Sequence, residues 1–491
     1  MATYAPELPQ QESGPSIDDF EEKSNDKDEE EGQYNAEPDE QAPAERPRAD
    51  TPPNGGYGWV CVACVFIVNG HTWGLNSSYG VFLAHYLSTN TFPNASPLDF
   101  AFIGGLSISM ALLISPLGTI ITRLYGTRAT LSLGIVFQTA SLLGASFASR
   151  IWHLYLSQGL CFGWGMGFLF VATVGVVPQW FTTRRSLANG IATAGSGLGG
   201  LVYSLAANRL IATASLGWAF RVLCFAQLGA NAAATALLRD RNAAIGSALL
   251  PFDARLFRQP PYALLLCWAS LCMLGYVVLL FSLPNYAEAR LGLSPAQGSV
   301  LGALLNLGQA VGRPPIGYFS DAVGRLNMAT VMTALAGALC LLVWVFARSF
   351  GVMVVFSLVG GMVAGTMWAT AAPVATEVVG LRELPAALSI LWVVLAVPST
   401  FSEAIALEMV ERAGGEYLGA QLFTGFMYVS GAGCLWLLRA WKLGEVDAGM
   451  DLIEGERSGG ADGRGEKRTV RDRKEFVRMW KFKNLWAWRK V

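Results

Sequence analysis

The chain has 491 residues, a formal net charge of −1, a mean hydropathy of +0.39 and only 14% charged side chains. Soluble proteins carry about 25% charged residues, so this composition excludes an ordinary soluble domain. The near-zero net charge is a cancellation between an acidic front and a basic end, and it identifies no partner.

Residues 1–50 hold sixteen acidic and four basic side chains with almost nothing bulky and apolar. Such a segment cannot bury enough surface to fold, so 1–53 reads as a disordered acidic tail. It lacks the apolar core of a secretory signal. From about residue 57, apolar runs alternate with short polar breaks, and a run of about 20 apolar residues crosses a bilayer. Twelve are legible, at 57–87, 99–122, 129–148, 153–178, 187–210, 218–238, 260–286, 296–319, 327–347, 350–373, 384–409 and 418–441. Only helices satisfy the backbone of an open chain in lipid. The expected class is therefore an all-α polytopic membrane protein in which the six-span segments 54–238 and 260–441 flank a charged linker, 239–259.

Placing the N-terminus in the cytosol puts Arg123, Arg128, Arg184, Arg185, Arg239, Arg241, Arg255, Arg258, Arg325 and Arg382 inside. Only Arg150, Arg209, Arg290, Arg348 and Arg412 then lie outside. The bias predicts that both termini are cytosolic. The plasma membrane is the expected location, with a vacuolar or other internal membrane as the alternative. Asn94-Ala-Ser96 would face outward as a candidate glycan acceptor. The segment 442–491 is a second cytosolic tail, ending in Lys and Arg residues interleaved with Phe476, Trp480, Phe482, Trp486 and Trp488. That composition suits the anionic inner leaflet. The eight cysteines all lie in apolar stretches, and Cys61-x-x-Cys64 has no companion pair, so small buried side chains are expected rather than a metal site.

The halves repeat. A shift of 198 residues brings Pro116 onto Pro314, Arg123 onto Asp321, Gly126 onto Gly324 and Arg184 onto Arg382. Two six-helix halves with a site between them near the midplane is the architecture of an alternating-access secondary transporter. Within the eighth span stands Arg313, and the span ends in the turn Gly317-x-x-x-Asp321-x-x-Gly324-Arg325. A cation inside a span costs about 2.5–3.5 kcal/mol on insertion scales and marks a functional position unless it snorkels to the headgroups. Asn306, Gln309 and Arg313, spaced by three and four, share one helical face.

Two motifs make a family resemblance specific. Asn54-Gly-Gly-Tyr-Gly-Trp59 leads into the first span, and Trp180-Phe-Thr-Thr-Arg-Arg-Ser-Leu-Ala-Asn-Gly-Ile-Ala-Thr-Ala-Gly195 leads into the fifth. Together they resemble the monocarboxylate transporter family of the major facilitator superfamily, and the acidic N-terminus with a compact central loop resembles its fungal branch. The resemblance covers 54–441 and implies twelve helices in the major facilitator fold. The turn at Gly317, Asp321, Gly324 and Arg325 resembles the superfamily's loop signature; in the first half Arg123 stands where the acid belongs. Asp321 and Arg325 would then form a gating latch, with Arg184 and Arg185 pairing to lipid phosphate or to acids at neighbouring helix ends. Gly195-x-Gly197-x-x-Gly200 spells a dinucleotide fingerprint, but it follows no strand, and its glycines suit close helix packing instead.

In proton-coupled members of that family, the eighth helix carries an aspartate one turn before the arginine and the first carries a lysine. Here those positions are Gln309 and Ser77. Glutamine cannot titrate, so Arg313 is left as a cation suited to an anionic or strongly hydrogen-bonding substrate. Asn76, Ser77, Asn306 and Gln309 are expected to shape the substrate site, and Glu403 and His71 are the candidates for proton coupling. The function implied is secondary transport, by alternating access, of a small carboxylated or otherwise anionic organic solute, symported or carried alone. The alternatives are a vitamin such as riboflavin, export of a secondary metabolite, or a non-transporting nutrient sensor. No enzyme motif, cofactor, metal site or nucleic-acid partner is expected.

Overall fold

The computed structural model describes residues 52–458 except Asn90, Pro93, Asn94, Ser247, Ala248, Leu249 and Pro251. The Asn94 glycan acceptor, most of the acidic tail and the basic, tryptophan-rich end lie outside the described residues. No strand occurs among the described residues. Nine helical stretches are long and apolar enough to cross a membrane, and the bent pair Phe102–Leu113 with Ser115–Tyr125 makes a tenth. One of the nine, Phe350–Arg412, is broken by the non-helical Gly380. Pro295–Val323, which carries Arg313 and Asp321, is a further long helix, less apolar than these.

In chain order these are α1 (Gly58–Leu83), α2 (Pro97–Leu113 and Ser115–Tyr125), α3 (Thr127–Ser146), α4 (Ile151–Trp180), α5 (Arg185–Thr213) and α6 (Leu216–Leu237). After the linker come α7 (Pro260–Leu291), α8 (Pro295–Val323), α9 (Arg325–Trp344), α10 (350–379), α11 (381–412) and α12 (Leu418–Ser458). The protein is a multi-pass integral membrane protein. Its last helix runs past residue 441, where the apolar run ends, to Ser458.

Local chemistry sets the helix ends. Ser96 with Asp99, and Ser294 with Gln297, form reciprocal capping boxes that start α2 and α8. Gly126 and Gly324, the pair related by the 198-residue shift, both have positive φ (86° and 114°) in the one-residue turns after α2 and α8. A side chain there would be strained, so the repeat is one of backbone geometry as well as residue type. In the linker Asp253 caps a short 3-10 turn. Its hydrogen bonds from the Arg255 side chain and backbone hold the carboxyl below its ordinary range.

Burial follows the two stretches of chain on either side of the linker. Two apolar clusters draw on residues between Cys61 and Leu238, and a third draws on Leu256 to Trp441 with Ile108, Leu112 and Phe170 added. Between them α5 and α8 pack backbone to backbone. A Cβ on Gly190 would stand 2.5 Å from the Arg313 carbonyl oxygen, and one on Gly197 would stand 2.6 Å from that of Asn306. On its other side α5 meets α1, where a Cβ on Gly74 would approach Gly199 to 2.7 Å. Small residues permit this approach where lipid gives no hydrophobic drive for helix association.

Candidate functional site

The elements that close most tightly also place the buried cation. Arg313 is 2% exposed on α8, and its Nη1 donates to the Thr193 carbonyl and to Ser196 Oγ, both at 2.6 Å on α5. Nη2 donates to Gln309 Oε1 at 2.6 Å, and Tyr276 on α7 donates to the same oxygen at 3.0 Å. Nε is buried with no acceptor. No carboxylate pairs with this guanidinium among the described residues; its neighbours are carbonyls, hydroxyls and amides. Snorkelling is therefore not its role, since the charge is held inward between α5, α7 and α8.

Arg313, Gln309, Asn306, Asn76 and Ser77 all line one cavity of about 40 Å³. Thr193, Ser196 and Tyr276 join its polar wall. In α1 the backbone widens into a π-helical turn at Gly70–Gly74, immediately before Asn76 and Ser77. Such turns recur at functional sites because they re-aim the residues that follow. Asn76 Oδ1 accepts from Ser107 Oγ on α2 at 2.9 Å, which fixes the amide.

Aromatic rings line the cavity as well, which the sequence did not single out. Trp73 from α1, Phe170 from α4, Tyr276 from α7 and Trp368 from α10 line the same cavity. Trp73 lies 4.9 Å from Trp368 and 5.3 Å from Phe170, ring centre to ring centre. Behind them Trp392 of α11 stacks on Trp368 at 5.8 Å. Tryptophans scattered along apolar runs look alike in sequence; only packing shows which of them meet.

His71 and Glu403 do not line this cavity. His71 Nδ1 bonds the Tyr203 hydroxyl on α5, and its carbonyl accepts from Gln138 Nε2 at 2.7 Å. Glu403 on α11 accepts from Ser282 Oγ of α7 at 3.0 Å, and its second oxygen is buried without a partner.

A charged cluster closes one end of the bundle. Asp321 at the end of α8 accepts the backbone N–H groups of Ser186 (3.0 Å) and Leu187 (2.9 Å), the first turn of α5. Arg325 bonds the Thr182 carbonyl and Glu377, and lies 3.5 Å from Asp321. Arg185 reaches the same Glu377 at 3.8 Å, whereas Arg184 and Arg123 are exposed. Gly317 lies against the Ser186 carbonyl, which lets α8 close on α5, and Gly324 makes the turn that follows. Glu377 was not legible as part of this cluster, because it stands alone at the end of α10. The two motifs that carry the family resemblance also meet: Asn54 Oδ1 accepts from the Thr182 backbone N–H at 2.6 Å and the Thr183 N–H at 3.0 Å. Trp59 packs against Phe181 at 4.9 Å. Both contacts tie the segment at the start of α1 to the segment before α5.

Against known proteins, the Major Facilitator Superfamily profile matches residues 61–296 and 265–488. The chain is similar to "Probable transporter MCH2" of Saccharomyces cerevisiae, 35% identical over 398 residues covering 79% of this chain and 84% of that protein. It is 32% identical to "Uncharacterized transporter ESBP6" of the same yeast, over 80% of this chain and 60% of that one. It is also 26% identical to "Fujikurins efflux protein" of Gibberella fujikuroi, over 78% and 82% of the two chains.

Proposed function

The chain belongs to the major facilitator superfamily and is a transporter of that type, and from this premise we propose that it carries a small organic anion, monocarboxylate-like in its charged group, by alternating access. The observation that carries the reading is Arg313. It is a buried guanidinium with no counter-ion among the described residues, on the lining of a cavity between α5, α7 and α8. A charge in low dielectric needs a partner, and an anionic substrate supplies one.

In this reading Arg313 binds the anion, while Gln309, Asn306, Ser77 and Asn76 shape the pocket. Asp321, Arg325, Arg185 and Glu377 hold the cytosolic side shut, with Gly317 and Gly324 providing the close approach and the turn. Arg184 and Arg123 face the inner headgroups. Both termini are cytosolic, the basic tail lies on the inner leaflet, and the plasma membrane holds the protein. Glu403 and His71 are the proton-coupling candidates, since Gln309 cannot titrate and no carboxylate stands beside Arg313 among the described residues.

Arg313→Gln tests the reading. The variant, delivered to the membrane and folded, loses at least about 90% of substrate flux, as expected when a charge-assisted bond worth roughly 1.5–3 kcal/mol is removed. Normal flux would assign Arg313 to helix packing. A second reading is export of a secondary metabolite, favoured by the similarity to a protein named for fujikurin efflux. It would show as substrate uptake into inside-out vesicles, whose lumen is the exterior face, with none into right-side-out vesicles.

A further inference from the structure

The anion reading leaves the aromatic wall unused. Four rings from four helices line a cavity that polar side chains also line. Two of them, Trp73 and Trp368, lie 4.9 Å apart, with Tyr276 a further 6.2 Å from Trp368. The space beside them, about 40 Å³, holds only a few waters, so any organic ligand must part rings that now touch. Parting Trp73 from Trp368 forfeits their contact and uncovers apolar surface. A flat ring entering between them restores both, because offset and edge-to-face ring pairs add about 0.5–1.5 kcal/mol beyond buried area. A short aliphatic acid restores neither.

Hydrogen bonding points the same way. Two donors at this cavity, Arg313 Nε and Trp73 Nε1, are buried with no acceptor, and no carboxylate lines the cavity among the described residues. Buried donors without partners are costly and rare. The site therefore asks for a ligand rich in acceptors, bearing negative charge, with a planar apolar body.

We propose that the substrate is a planar aromatic or conjugated organic anion, its ring seated between Trp73 and Trp368 and its acidic group on Arg313. This rests on the anion reading above and narrows it. Trp368 and Trp73 become the residues that set specificity, while Arg313 sets charge.

The experiment compares phenylpyruvate, pyruvate and phenylpyruvamide binding to the full-length protein in lipid nanodiscs by calorimetry, for the wild type, Arg313→Gln and Trp368→Leu. Phenylpyruvate is expected to bind about tenfold or more tightly than pyruvate, in line with a ring contact of about 1–1.5 kcal/mol. The amide should bind weakly, and Trp368→Leu should bring the two acids within about twofold of each other. Equal binding of the two acids, both lost in Arg313→Gln, would overturn the aromatic clamp and leave the anion reading standing. Amide binding equal to acid binding, or no binding by either acid, would overturn both. The wild-type comparison alone decides the matter if the Trp368→Leu variant fails to fold.

Discussion

Asp321 caps a helix from which it is separated by more than a hundred residues: its Oδ1 accepts the Ser186 backbone N–H at 3.0 Å, and its Oδ2 accepts that of Leu187 at 2.9 Å. The first turn of α5 has unsatisfied N–H groups and the positive end of the helix dipole. One carboxylate from α8 thus meets both the hydrogen-bonding and the electrostatic demand, and does so only while the two helices are together.

Asp321→Asn should therefore weaken the closed end without disturbing either helix. Removing the charge from a partly buried cap costs roughly 1–2 kcal/mol, which shifts an open–closed equilibrium about five- to thirtyfold toward open. Thiol labelling of a cysteine placed at Gly190 or Thr193 is unsuitable, because those positions touch α8. Limited proteolysis and hydrogen exchange at Ser186 and Leu187 read the change directly, and unaltered protection there would remove Asp321 from the gate.

The α5–α8 contact predicts a graded glycine series. Gly197→Ala places a methyl 2.6 Å from the Asn306 carbonyl oxygen and 2.7 Å from the Ala310 nitrogen, both backbone atoms that can yield only if the helices separate. Overpacking of this kind costs about 1–3 kcal/mol, and Gly197→Val costs more. Gly229→Ala, with no atom within 4 Å of its Cβ, is the neutral control. Thermal unfolding in detergent should order the variants wild type and Gly229→Ala first, then Gly197→Ala, then Gly197→Val.

Asn54 tests the clasp between the N-terminal motif and the loop before α5. It stands at φ 57° and accepts from Thr182 and Thr183. Asn54→Gly tolerates the backbone but deletes the acceptor, and Asn54→Ala adds strain to that loss. Expected destabilisation is about 1 kcal/mol for the glycine and about 1 kcal/mol more for the alanine. Equal melting temperatures for all three proteins would show that the clasp contributes nothing.

Glu403 decides the coupling question. With Glu403→Gln in proteoliposomes, accumulation driven by an imposed pH gradient should disappear while substrate exchange continues, since exchange needs no net proton movement. Gradient-driven accumulation that survives would transfer the role to His71, whose bond to the Tyr203 hydroxyl gives it an alternative partner.

Sequence alone determined the class, an all-α polytopic membrane protein, because a bilayer imposes length and apolarity on every crossing segment whatever its neighbours. It also exposed Arg313, and with it Asn306 and Gln309 on one face, because a charge in an apolar run is rare and costly and helical spacing is local. Tertiary structure decided the rest. It brought Glu377 to Arg325 and Arg185, Asn54 to Thr182, and Trp73 to Trp368, and it set Glu403 and His71 away from the arginine's cavity. In water an apolar stripe tells which face of a helix is buried; in lipid both faces are apolar, so the inward face is chosen by packing between helices far apart in the chain.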